Sequence, residues 1–154
     1  MTPPSTTEAN GGGAEADGAR WLPVVLVGHG ATASTLLDAA KAICSSGFED
    51  VYSVDAGSGD CAALSERLRE VMGGLGDGPE LLIIVDIVGS SPWRRCVKSV
   101  MDRRSAVVLG GLSLSMLLKL ATVDRRGADA KNVADACAGS AKRAIVISDV
   151  LAEG

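Results

Sequence analysis

The sequence predicts an α/β domain: a doubly wound, mainly parallel sheet with helices on both faces. Three observations carry this expectation. Short runs of branched apolar residues recur at 23–28, 51–54, 81–85 and 106–109. Stretches with helical spacing of apolar residues separate them, and glycine, proline or small polar residues stand at the junctions. Strand and helix alternating at this interval imply βαβ units with right-handed crossovers.

Taken in order, residues 23–28 form the first strand, with Pro23 tolerated at its start. A helix over 31–44 follows, carrying Ala33, Leu36, Leu37, Ala40 and Ile43 on one face, and Gly47 marks its stop. Residues 51–54 are a short second strand, after which Ser58 or Asp60 can cap a helix with Leu64, Leu68, Val71 and Met72 inward. Residues 73–79 break that pattern. The run 81–85 is the most apolar, which predicts a central strand covered on both faces. It ends at Asp86. The next helix is expected to bury Trp93, Cys96, Val97, Val100 and Met101, with Ser91 as its cap and Pro92 at its first position. A fourth strand at 106–109, helices over 113–123 and 129–143, and a last strand at 144–148 complete the reading.

The chain has 154 residues, 47% hydrophobic and 22% charged, enough for one cored domain and too few for two. Residues 1–20 hold prolines, three threonines and three consecutive glycines but few large apolar side chains, so they are expected to form a tail before a single domain at 21–154. Fifteen basic against nineteen acidic residues, with no basic stripe among aromatics, argue against a nucleic-acid surface. The start lacks the basic and apolar pattern of a secretory signal. The longest apolar stretch, 107–121, is interrupted by glycines, serines and Lys119 and is too short for a bilayer span. A cytoplasmic protein is expected. Cys44, Cys61, Cys96 and Cys137 lie far apart with one histidine in the chain, so reduced thiols are expected, with neither a metal site nor a cofactor.

That one histidine, His29, stands between Gly28 and Gly30 at the end of the first apolar run. Ligands in open parallel sheets bind outside the carboxyl ends of strands, and imidazole can act there as a nucleophile or proton carrier. Two more strands end in polar or glycine-rich loops, Asp86 to Ser91 and Gly110 to Ser113, so a histidine, a carboxylate and serine hydroxyls are expected at one sheet edge. This set suits phosphoryl transfer through a phosphohistidine. A carboxylate such as Asp86 would fix the ring's tautomer, and Ser91 with helix-start amides would receive the phosphoryl oxygens. Each residue also has a plainer role open to it: His29 as a turn residue, Asp86 as a loop carboxylate bonded to backbone, and Ser91 as a helix cap. A rival reading takes Gly28 to Ala33 as the dinucleotide fingerprint G-x-G-x-x-G/A, with Asp55 as its ribose-binding acid. Arg94-Arg95 and Arg103-Arg104 read as solvated helix faces, and Asp124-Arg125-Arg126 with Gly127 as a helix end and turn.

From about Pro23 to Ser148 the sequence resembles the mannose-family enzyme IIA component of the bacterial phosphoenolpyruvate-dependent sugar phosphotransferase system. Val27-Gly28-His29-Gly30 resembles the family's strand-end element with its phosphorylated histidine, Val85 to Pro92 its aspartate and glycine-serine-proline loop, and Gly111 to Leu118 its third motif. The resemblance implies that His29 accepts phosphate from the phosphocarrier HPr and passes it to a IIB component. Asp86 would stand beside it, with Gly30, Gly89, Ser90, Ser91 and Ser113 in the phosphate-site loops. It also implies a homodimer that exchanges a C-terminal antiparallel strand, matched here by residues 144–148, and contact with a membrane only through a permease. Ser90, Trp93, Arg94, Ser113 and Ser115 depart from the family pattern, which bears on partner choice. A phosphorylation-dependent regulator or adaptor without sugar transport is the alternative, and the related component that phosphorylates dihydroxyacetone-kinase subunits is a further relative.

Overall fold

A computed structural model of the chain describes residues 18–149 apart from 76, 77 and 79. The order of elements is β1 (Val24–Gly28), α1 (Thr32–Ile43), β2 (Val51–Asp55), α2 (Cys61–Gly74), β3 (Glu80–Val85), α3 (Ser91–Ser99), β4 (Ser105–Gly110), α4 (Leu114–Thr122) and α5 (Ala130–Arg143). The four strands form one sheet in the order β2-β1-β3-β4, and every pairing is parallel.

Strand order follows from burial. All five residues of β1 and the last five of β3 are buried, as the unbroken apolar runs require of strands covered on both faces. Alternation then divides their side chains. Val24, Leu26, Leu82 and Ile84 pack with Ala33, Leu37 and Ala40 of α1, with Met116, Leu117 and Leu120 of α4, and with Val133 and Cys137 of α5. Val25, Val27, Leu81, Ile83 and Val85 face the other way, onto Leu64 and Leu68 of α2 and Cys96 of α3. The chain leaves β1 toward β2 and then crosses back to β3, and this reversal places helices on both faces.

Several expectations shift. Ser90, not Ser91, caps α3. Its backbone is extended, with φ −69° and ψ 170°, and its hydroxyl accepts from the Trp93 N–H at 3.3 Å, so Ser91 is the first helical residue and Pro92 the second. Asp60 caps α2 by accepting from the N–H groups of Ala62 and Ala63. Ile43, Val97 and Met101 are exposed rather than inward, at 63%, 38% and 74%. Ile43 is the last residue of α1 and Met101 lies beyond the end of α3, so neither is held against the sheet by a helix. The expected final strand is not shown in this single chain: residues 144–148 take up no strand, and Ile145, Val146 and Ile147 are 83%, 77% and 97% exposed. They pair with no strand among the described residues, and β4 stands as an open edge of the sheet.

The Asp124-Arg125-Arg126 turn holds more than a turn. Arg125 is fully buried, and its guanidinium donates to the carbonyls of Leu22 (2.7 Å), Gly47 (3.2 Å) and Glu49 (2.6 Å) while lying 5.2 Å from the centre of the Trp21 ring. It thereby ties the entry to β1, the α1–β2 loop and the α4–α5 loop together. Burial lowers its pKa, and the nearby carboxylates of Glu49 and Asp50 oppose that. The expected tail is largely outside the described residues. Arg20, its last residue, accepts from the Gly127 N–H at 2.9 Å.

Candidate active site

The crevice between β1 and β3 is the point at which the strand order reverses, where an open parallel sheet leaves room for a ligand. His29 leaves the end of β1 there and Asp86 the end of β3. Gly28 permits the approach: a Cβ on it would lie 3.0 Å from the Ala33 nitrogen and from the Thr32 Cβ. Gly30 turns the chain into α1 with φ +55°, a conformation that glycine adopts without cost, and exchanges two backbone hydrogen bonds with Gly57, at 3.1 and 3.2 Å.

Asp86 holds the histidine twice. The His29 backbone N–H donates to Oδ2 at 2.8 Å, and ring Nδ1 lies 2.9 Å from Oδ2 and 3.1 Å from Oδ1. Oδ1 also accepts from the Ile87 N–H at 2.8 Å. Partial burial pushes the carboxyl pKa up, but the His29 and Ile87 donors outweigh it and hold Asp86 below the usual carboxylate value. An ionised carboxylate only accepts, so a proton sits on Nδ1, and in the neutral ring Nε2 keeps its lone pair. The imidazole is 48% exposed against 11% for the carboxylate, and Nε2 has no hydrogen-bond partner among the described residues. The pair therefore holds the ring in one orientation with Nε2 turned away from the carboxylate.

His29 borders a cavity of about 130 Å³, shared with Gly59 and Asp60 of the β2–α2 loop, with Cys61 at the start of α2, and with Ser91 and Pro92 of α3. The Ser91 hydroxyl is exposed and has no hydrogen-bond partner among the described residues, which leaves it available to an anion at the start of α3. Other predicted residues are used differently. The Ser90 hydroxyl is committed to the Ile87 carbonyl and the Trp93 N–H, and Gly89 serves the turn with φ +77°. Ser113 caps α4, accepting from the Met116 N–H at 3.2 Å, and lines a separate cavity beside Ala144 and Ile145. The third loop thus lies on the same sheet edge but outside the histidine's cavity.

Two features escaped the sequence. The β2–α2 loop forms a wall of the cavity, a role signalled only by its glycines at a strand's carboxyl end. Asp55 caps the open start of α1, accepting from the Ser34 N–H at 3.0 Å and from its hydroxyl at 2.5 Å. The acid that a ribose would need is therefore already engaged. Among the described residues no group of three or more histidine, cysteine or acidic side chains is placed to hold a metal, and no helix is long and apolar enough to cross a membrane.

The family model for the PTS system fructose IIA component matches residues 23–138, three-quarters of the chain. The chain belongs to this family. Solved structures share its fold. A mannose/sorbose-specific IIA subunit of the phosphotransferase system from Enterococcus faecalis superposes with a TM-score of 0.72 at 19% identity, over 85% of this chain and 97% of that one. The phosphotransferase system component EIIA from Streptococcus agalactiae gives 0.72 at 21% identity, over 81% and 95%. A PTS IIA protein associated with the fucose utilization operon of Streptococcus pneumoniae gives 0.65 at 15% identity, over 85% and 94%. A search of curated proteins finds no match. As a IIA component the chain has a phosphotransferase role in sugar transport, and the family implies interaction with HPr and IIB components.

Proposed function

We propose that His29 is the phosphoryl acceptor of this IIA component, taking the group from HPr on Nε2 and delivering it to a IIB component. The observation that carries this reading is the Asp86 carboxylate on Nδ1 with Nε2 free and exposed. In the forward step the Nε2 lone pair forms the bond to phosphorus, the bond from phosphorus to the donor breaks, and its electron pair leaves with the donor. Nδ1 keeps its proton, so positive charge develops on the ring where Asp86 offsets it. Ser91 and the first turn of α3 are positioned to meet the phosphoryl oxygens.

Exposed Ile87 and Val88, 55% and 65% accessible beside Asp86, suit a protein donor that covers apolar surface as it docks. The protein works in the cytoplasm and reaches a membrane only through its permease. It is a homodimer in which the apolar residues 144–148 of each subunit pair with the open edge of β4 in the other. The single domain spans 21–154.

The test is phosphorylation by phosphoenolpyruvate, enzyme I and HPr. One acid-labile phosphate per chain is expected on the wild type and none on His29→Ala. Stable labelling of that variant sinks the assignment. Transfer onward to a IIB component is expected; uptake without any such transfer would favour a regulatory protein, whose phosphate changes docking instead.

A further inference from the structure

A second concave site lies on the α2–α3 face and shares no lining residue with the His29 cavity. It is a groove of about 600 Å³, the size range of small-ligand pockets. Leu68 and Met72 of α2 supply apolar surface, and cations stand on both walls: Arg69 from α2, Arg95 and Lys98 from α3, and Arg103 just beyond it. No described lining residue is acidic. The sequence alone reads Arg95 and Arg103 as solvated helix faces, but a stripe on one face would not bring charge from two helices to one hollow.

The partners of Arg69 and Arg95, and the lack of one at the Lys98 ammonium, leave capacity for an anion. Arg69 pairs with Glu66 one turn back on its own helix, an exposed pair worth little in water. The Ser65 hydroxyl donates to the Cys61 carbonyl at 2.9 Å and accepts from Arg95 at 3.4 Å, which steadies that guanidinium at the groove. The Lys98 ammonium has no ion-pair or hydrogen-bond partner among the described residues. The arginine fork matches phosphate oxygens bidentately, and lysine adds a point charge. A ligand that uses both the cations and the apolar surface carries phosphate at one end and an apolar or planar body at the other.

We propose that the α2–α3 groove binds a phosphate-bearing small molecule of nucleotide size, separately from the phosphoryl chemistry at His29. Titration calorimetry with ADP, adenosine and inorganic pyrophosphate tests it on the full chain. ADP should bind saturably, with adenosine and pyrophosphate each at least tenfold weaker. Arg95→Gln with Lys98→Gln should weaken ADP at least tenfold; both residues are exposed, and an unchanged melting temperature shows that the fold survives. His29→Ala should bind ADP as the wild type does, which separates this site from the proposed phosphoryl acceptor. The proposal is overturned if ADP does not saturate at millimolar concentration, if pyrophosphate binds as tightly, if the double variant binds normally, or if the His29 variant loses binding. An acidic peptide that binds where ADP does not would make the groove a protein-docking surface and would equally overturn it.

Discussion

Replacing Asp86 by asparagine isolates the charge beside the histidine while keeping its shape. The carboxylate accepts from three donors, the His29 N–H, the Ile87 N–H and ring Nδ1, within 2.8–2.9 Å. Asparagine offers one acceptor oxygen, so its NH2 must face at least one of those donors. Leaving that donor unsatisfied costs about 1–3 kcal/mol of folding stability. The kinetic effect should be larger, because the negative charge matters most as the ring becomes positive. Loss of one such preorganised group lowers turnover on the order of 10²- to 10³-fold. Rapid-quench measurement of phosphoryl uptake from phosphorylated HPr reads this directly, with urea unfolding beside it. The acid dependence supplies an internal check. The folded pKa of Asp86 is depressed, so its stabilisation is complete above the unfolded value of about 3.9 and is lost as pH falls through the lower folded value. The stability gap between the two proteins should therefore close in acid. Transfer within threefold of wild type would refute the electrostatic role, and a stability gap unchanged well below pH ~3.9 would refute the charge-based account of the loop.

Three further outcomes follow from other parts of the molecule. Arg125→Met should lower stability by about 2–4 kcal/mol in urea, combining an unsatisfied Leu22 carbonyl with a lost cation–π contact; a change below about 0.5 kcal/mol would mean the guanidinium is not a clamp. Burial pushes the Cys96 thiol up to about 12, with Asp86 adding to it, and Cys137 to about 11, so iodoacetamide at pH 8 should leave both intact in the native protein; labelling at the rate of Cys44 or Cys61 would contradict this. Removing the residues after Arg143 should leave the core folded, since none of the described residues 144–149 belongs to it, but convert the proposed dimer to monomer in sedimentation; an intact dimer would refute strand exchange as the dimerisation device.

The strands were legible because β1 and β3 are buried on both faces, which writes an unbroken apolar run into the sequence. His29 and Asp86 were legible for a related reason: a polar residue that ends such a run in an open sheet stands at the edge where ligands bind. Details set by backbone angles were not. Ser90 and Ser91 are chemically equal caps, and only the extended backbone at Ser90 decides between them. Arg125 shows the other limit. Its neighbours in sequence are charged and exposed, and the three carbonyls that receive it come from segments 76 to 103 residues away. No local pattern records such a convergence. Residues 144–148 mark a third limit, since a short apolar run reads identically whether it pairs within its own chain, pairs with another or pairs with no strand.

The separation of the third loop changes how the departures at Ser113 and Ser115 bear on function. Strands lie roughly 4.8 Å apart, so the end of β4 stands about 10 Å from that of β1, across β3. Ser113 spends its hydroxyl on the start of α4, and both serines line the hollow shared with Ala144 and Ile145. They bear on the seat of the C-terminal segment rather than on a phosphoryl group at His29. Ser90, Trp93 and Arg94 are different, because they form the first turn of α3 or its cap, and Ser91 of that turn faces the cavity. A change of partner would therefore be written at the start of α3, and a change of assembly at the start of α4. Exchanging the two sets of residues for the family pattern separately should alter phosphotransfer kinetics in the first case and sedimentation in the second.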